Sequence, residues 1–82
     1  MAAVTVRYWA GARAAAGTTE ESYDGETLGA VLDQAAAAHG AGLARVLSVA
    51  SFLVDGVRTG RDAALTEGAT IEVLPPFAGG SR

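Results

Sequence analysis

Apolar and polar positions alternate from Val4 to Trp9. Val4, Val6 and Tyr8 point to one side of an extended chain, and Thr5, Arg7 and Trp9 to the other. That pattern predicts a half-buried strand. Gly11 and Gly17 then bracket an alanine-rich stretch with room for about one helical turn. Thr18 to Tyr23 is a weaker, polar strand suited to a sheet edge, and Asp24-Gly25 breaks it. The clearest helix follows. Thr27, preceded by Glu26, is a good N-cap, and Leu28, Val31, Leu32 and Ala35 form one apolar stripe. Ala36 to Ala38 prolong it by propensity, His39 suits its negative end, and Gly40 stops it. Leu43 to Val49 has room for a short turn or two. Ser51 to Val54 reads as a strand, with Asp55-Gly56 as a two-residue hairpin turn into Val57 and Arg58. Leu65 to Gly68 is a turn before the last strand, Ala69 to Leu74, whose Ile71 and Val73 face inward while Glu72 and Leu74 face outward.

The order β-β-α-β-β-β with a single long helix predicts an α+β fold, with a mixed sheet of four to five strands. One helix cannot cover both faces of such a sheet, so it packs on one and leaves the other open. If the first and last strands lie side by side at the centre, Arg7 and Glu72 can pair on that open face.

Composition narrows the function classes. With 82 residues there is room for one domain and a modest core. Half of the residues are hydrophobic, which sets the chain apart from disordered compositions. No cysteine is present, so disulfides, thiolate metal sites and a cysteine nucleophile are excluded. A net charge of −3 with scattered arginines argues against nucleic acid. Lysine is absent, so no side-chain amine is offered to an isopeptide bond. The apolar runs are too short to span a bilayer and no signal segment follows Met1, so a cytoplasmic, soluble protein is expected. His39, the single histidine, reads as a surface cap at a helix end, and no metal site is expected. Arg45, Arg58 and Arg61 lie in separate segments and read as solvated surface. Ser48 and Ser51 have no histidine spaced to act as base. Nothing here has the makings of a self-sufficient catalyst.

The end of the chain, Leu74-Pro75-Pro76-Phe77-Ala78-Gly79-Gly80-Ser81-Arg82, is the unusual segment. Two prolines directly after a buried strand stop its pairing and drive the chain outward as a stiff extended spur. Beyond Phe77 the side chains shrink to a methyl and then to hydrogen. Such a tail can thread a narrow channel and bring bare backbone up to a reacting group. Ordering it costs entropy, so the folded part must supply docking energy. Trp9, Leu74 and Phe77 are the outward apolar residues nearest its exit. Residues 1–76 are therefore expected to form the domain and residues 77–82 a flexible tail.

Over nearly its whole length the sequence resembles the ubiquitin-like β-grasp sulfur carriers, most closely the small subunit of molybdopterin synthase. The resemblance rests on the opening strand from Val4 to Arg13, the helix after Asp24-Gly25, the Leu53-Val54-Asp55-Gly56 hairpin, and above all Leu65 to Gly80. It implies a carrier and not an enzyme, with no bound cofactor. An ATP-using adenylating enzyme of the ubiquitin-activating type would adenylate the Gly80 carboxylate. Sulfur from a sulfurtransferase or cysteine desulfurase would then displace AMP to leave a thiocarboxylate. The large molybdopterin synthase subunit, or another sulfur-accepting enzyme, would receive Gly79-Gly80, with Trp9, Arg58, Leu74 and Phe77 on partner-facing surface. Sulfur delivery to cysteine, thiamin, tRNA or a secondary metabolite is an alternative, as is a protein modifier joined to targets through Gly80. A plain interaction domain with an inert tail is a further one. The sequence departs from the family's working form in one respect. Ser81 and Arg82 follow Gly80 and hold its carboxyl as an amide, so a peptidase has to remove them first.

Overall fold

The computed structural model describes residues 1–76. The apolar side of the first alternating stretch is fully inside. Val4, Val6 and Tyr8 of strand β1 (Ala2–Tyr8) are each 3% exposed or less. The helix stripe meets them from above, because Leu28, Val31, Leu32 and Ala35 of α2 (Leu28–His39) are wholly buried. Between these lie α1 (Ala10–Ala16) and β2 (Glu20–Gly25). After α2 come α3 (Ala41–Leu47), β3 (Ser51–Val54), β4 (Val57–Arg58) and β5 (Thr70–Leu74). The five strands form one mixed sheet in the order β2-β1-β5-β3-β4. β1 and β5 are parallel neighbours at its centre, and every other pairing is antiparallel. This is the ubiquitin-like β-grasp of the α+β class.

Each boundary has a local cause. The four N–H groups that begin α2 are all satisfied. Thr27 Oγ1 accepts from the Ala30 N–H at 3.2 Å, and the Thr27 carbonyl accepts from Val31. The loop before β5 supplies the Ala63 carbonyl to Leu28 and the Arg61 carbonyl to Gly29, at 3.0 and 2.7 Å. The close approach at Gly29 needs a glycine, since a Cβ there would stand 3.0 Å from the Arg61 carbonyl oxygen. The β3–β4 turn places Asp55 and Gly56 at φ 50° and 82°, as a two-residue hairpin requires. Asp55 is also clamped to β5. Its N–H donates to the Thr70 carbonyl and its carboxylate accepts from the Thr70 N–H, at 2.8 and 2.9 Å.

Two expectations need correction. The stretch after β1 is a seven-residue helix and not about one turn. Gly11 lies inside it, and the alanines carry the helix on to Gly17 at φ 74°. The polar second strand is shifted to Glu20–Gly25, because Thr18 and Thr19 are used in the turn. It is an edge strand, as its polarity suggested. Among the described residues no helix is long and apolar enough to cross a membrane.

Candidate functional site

The parallel pairing of β1 and β5 makes both strands end at the same margin of the sheet. Tyr8 is the cross-strand partner of Val73, and the Trp9 N–H donates to the Val73 carbonyl at 3.2 Å. β5 then runs out through Leu74 into Pro75, which is half-buried, and Pro76, which is exposed. The root of the tail is therefore held by backbone hydrogen bonds at the middle of the sheet. Phe77, Gly79, Gly80, Ser81 and Arg82 lie outside the described residues.

The predicted surface residues gather around this root. Trp9 is 38% exposed, with the Arg7 guanidinium 5.3 Å from its ring centroid. Leu74 stands on the open face opposite Ser51. Arg58 reaches that same Ser51, its Nη2 donating to Oγ at a long 3.4 Å. Ser51 thus ties Arg58 to Leu74 across two strand pairings, a link that neither residue's sequence position suggested.

Register also arranges the open face into a row. Glu20, Arg7, Glu72, Leu53 and Arg58 are successive cross-strand partners through all five strands. Arg7 and Glu72 are neighbours as expected, but the ion pair of Arg7 is with Glu20, Nε to Oε1 at 3.5 Å. That contact lacks a hydrogen bond, and Arg7 Nε is buried with no hydrogen-bond partner among the described residues. The Arg7 guanidinium lies over the Trp9 ring, and no ion pair joins it to Glu72 among the described residues.

His39 is not a solvent-facing cap. Its Nε2 lies 2.6 Å from Glu21 Oε2, and its ring meets Tyr8 edge-on with centroids 6.2 Å apart. The same carboxylate oxygen accepts from Tyr8 Oη at 2.6 Å and Tyr23 Oη at 2.9 Å. β2 alternates in strand fashion, so Glu21 and Tyr23 share its inner side with the end of α2, and only the fold brings the four residues together. Burial pushes the Glu21 carboxyl up. The hydrogen bonds from Tyr8, His39 and Tyr23, with the charge of His39, outweigh it and hold the carboxyl below its ordinary value. Burial, then the hydrogen bond to Glu21 and its charge, raises Tyr8 far above the tyrosine range and pushes Tyr23 up to about 12. Both phenols stay protonated donors at neutral pH. They are structural and not poised for proton transfer.

Elsewhere a groove of about 530 Å³ runs between α2, α3 and β3, floored by Leu32, Ala36, Leu47 and Phe52. The Arg61–Asp33 ion pair, at 2.9 Å, forms part of its wall. Arg61 therefore has its own acid partner. No group of three His, Cys, Asp or Glu side chains that could hold a metal is present among the described residues.

The sequence matches the model of the ThiS family over residues 6–80. The chain belongs to the ThiS family. It shares the fold of solved structures of the same size. The small archaeal modifier protein SAMP1 of Methanosarcina acetivorans is 27% identical, with a TM-score of 0.87, 96% of this chain and 97% of that one being covered. A molybdopterin converting factor subunit 1 from Pyrococcus furiosus is 21% identical, with a TM-score of 0.77 and coverage of 94% and 100%. A third match, 20% identical with a TM-score of 0.65 and coverage of 92% and 95%, is to a complex of subunits 1 and 2 of molybdopterin-converting factor from Helicobacter pylori. Comparison with well-characterised protein sequences gave no match. This ThiS-family chain is of the ubiquitin-like sulfur-carrier type, and that type is not catalytic.

Proposed function

We propose that this ThiS-family protein carries sulfur on the carboxyl of Gly80 and delivers it for molybdopterin synthesis. The observation that carries the reading is the tail root: the central strand ends beside Trp9 in Leu74, Pro75 and Pro76, and in the sequence Phe77 and Gly79-Gly80 follow. A carboxylate is a poor electrophile. An adenylating enzyme would use ATP to join the Gly80 carboxylate to AMP with loss of pyrophosphate, which gives the carbonyl a good leaving group. The persulfide of a sulfurtransferase or cysteine desulfurase then displaces AMP to form an acyl persulfide, and a thiol reductant attacks its S–S bond, which leaves a C-terminal thiocarboxylate and a disulfide. The folded domain contributes binding and positioning, and the bare glycines let the acyl group pass a narrow channel. The converting-factor complex of Helicobacter pylori supports a large subunit as the sulfur-accepting partner. Ser81 and Arg82 have to be cleaved before any of this, because in their presence the Gly80 carbonyl is an amide.

The SAMP1 likeness favours a second reading, in which Gly80 is joined to lysines of target proteins. Intact-mass measurement of the protein from its native cells decides between them. A species ending at Gly80 that gains the mass of sulfur in place of oxygen is expected. Gly80–lysine conjugates without any thiocarboxylate would replace the carrier reading with the modifier one. Purified full-length protein that is adenylated with Ser81-Arg82 attached would overturn the processing step.

A further inference from the structure

The groove between α2, α3 and β3 opens on the helix side of the sheet, close to the tail root. β3 and β5 pair Ser51 with Leu74, and one residue beyond that pair on each strand come Ala50 and Pro75. Ala50 lines the groove, so the groove begins beside the residue where the tail leaves the sheet. Its floor is apolar. The charged residues of its wall, Asp33 and Arg61, already form an ion pair, so neither calls for a counter-charge. Val49, between the lining residues Ser48 and Ala50, is 62% exposed and extends the apolar surface toward the tail. Alternation also runs on past the end of β5. Val73 is wholly buried and Leu74 stands on the open face, then Pro75 is half-buried and Pro76 exposed.

We infer that Phe77 of this same chain docks in that groove, against Leu47, Ala50 and Phe52, and so sheathes the diglycine on the helix side. The period that buries Val73 and Pro75 assigns Phe77 to their side, opposite Leu74. Phe77 is two residues past Pro75, a reach of about 7 Å, and it is the one large apolar side chain between Pro76 and Gly79. The prolines fix their own φ, so the entropy lost on docking falls mainly on Phe77 itself. Burial of one ring offsets that loss narrowly, and docked and released tails coexist. A partner that takes Gly80 beside Trp9 and Leu74 has to draw Phe77 out first. The groove thus weakens the tail's apparent affinity in proportion to the docked fraction. Once released, Phe77 can join Trp9 and Leu74 on the partner's side. The docking is independent of the chemistry at Gly80 and serves carrier and modifier readings alike, by covering the reactive end until a partner claims it.

The test uses the full chain and two variants. Chymotrypsin cleaves after accessible aromatic residues, and intact-mass measurement reads the product that ends at Phe77. Ala44 is exposed on α3 and lines the groove, so Ala44→Phe plugs the groove without entering the core. Cleavage after Phe77 is expected about twofold faster in Ala44→Phe than in native protein, because about half of the native tails are sheathed. In Phe77→Ala the methyl resonances of Leu47 and Ala36 shift, while those of Val4, deep under the sheet's helix side, stay where they are. Equal cleavage rates in native protein and a folded Ala44→Phe overturn the docking. So do Leu47 and Ala36 methyls that keep their native resonances in Phe77→Ala, a measurement that stands even where Ala44→Phe fails to fold. Either result leaves the chemistry proposed at Gly80 intact, since that is read from the mass of the chain end.

Discussion

Glu21 carries an unusual load for one side chain. A single oxygen serves two phenols and an imidazole, and so joins β1, β2 and the last turn of α2. Glu21→Gln keeps the shape and removes the charge, and should cost about 1.5–3 kcal/mol in denaturant unfolding, the range for hydrogen bonds to ionised groups. The pH dependence has a defined sign. A carboxyl held below its ordinary value in the folded state stabilises above the unfolded Glu pKa, and that stability is lost as pH falls through the folded value. Acid unfolding of the native protein should therefore be steeper than that of Glu21→Gln. The tyrosines work in the opposite direction. Their raised values favour the fold below the ordinary tyrosine range and withdraw that support as pH rises. Tyr8 and Tyr23 are the chain's two tyrosines, so ultraviolet titration reads this cluster alone. Phenolate absorbance should stay absent through pH 10–11, where free tyrosine ionises at about 10, and then rise together with unfolding. None of this was legible in the sequence. Glu21 and Tyr23 look like polar positions on a weak edge strand, and His39 lies 18 residues from its partner.

At the scale of elements, α2 and the turn at Asp55-Gly56 were readable because their causes are local. Thr27, the four-residue stripe and Gly40 fix the helix with no knowledge of the rest, and the hairpin follows from two residues that tolerate positive φ. Thr27→Ala should cost about 1 kcal/mol, seen as a lower melting temperature, since the Ala30 N–H loses its side-chain acceptor. Gly25 shows what local reading misses. Its φ is unremarkable and it was taken for a turn glycine, yet it ends β2 and pairs with Ala2. A Cβ there would stand 2.6 Å from Val31 Cγ2 of α2. Gly25→Ala should destabilise by about 1–3 kcal/mol through overpacking, checked by equilibrium unfolding. The length of α1 was underestimated for a related reason. Gly11 punctuates a sequence but not a helix whose other members are mostly alanine.

The whole molecule separates what folds from what reacts. Among the described residues its core runs from Ala2 to Val73, and the chemistry proposed for it lies at residue 80. A chain cut after Pro76 should melt within about 2 °C of the full chain and lose all activation. The exposed side of the tail root at Trp9 and Leu74 was foreseen from alternation alone, because period-two parity assigns faces without tertiary knowledge. Arg7 beside Glu72 was foreseen as well, but the extension of that row to Glu20, Leu53 and Arg58 was not, since cross-strand register is written in no single segment. The placement of β5 has a mechanical corollary. A partner that tugs the tail loads a strand gripped on both flanks, so two hydrogen-bond ladders bear the force in shear together. Hung from a margin strand, the same tail would unzip its anchor one bond at a time.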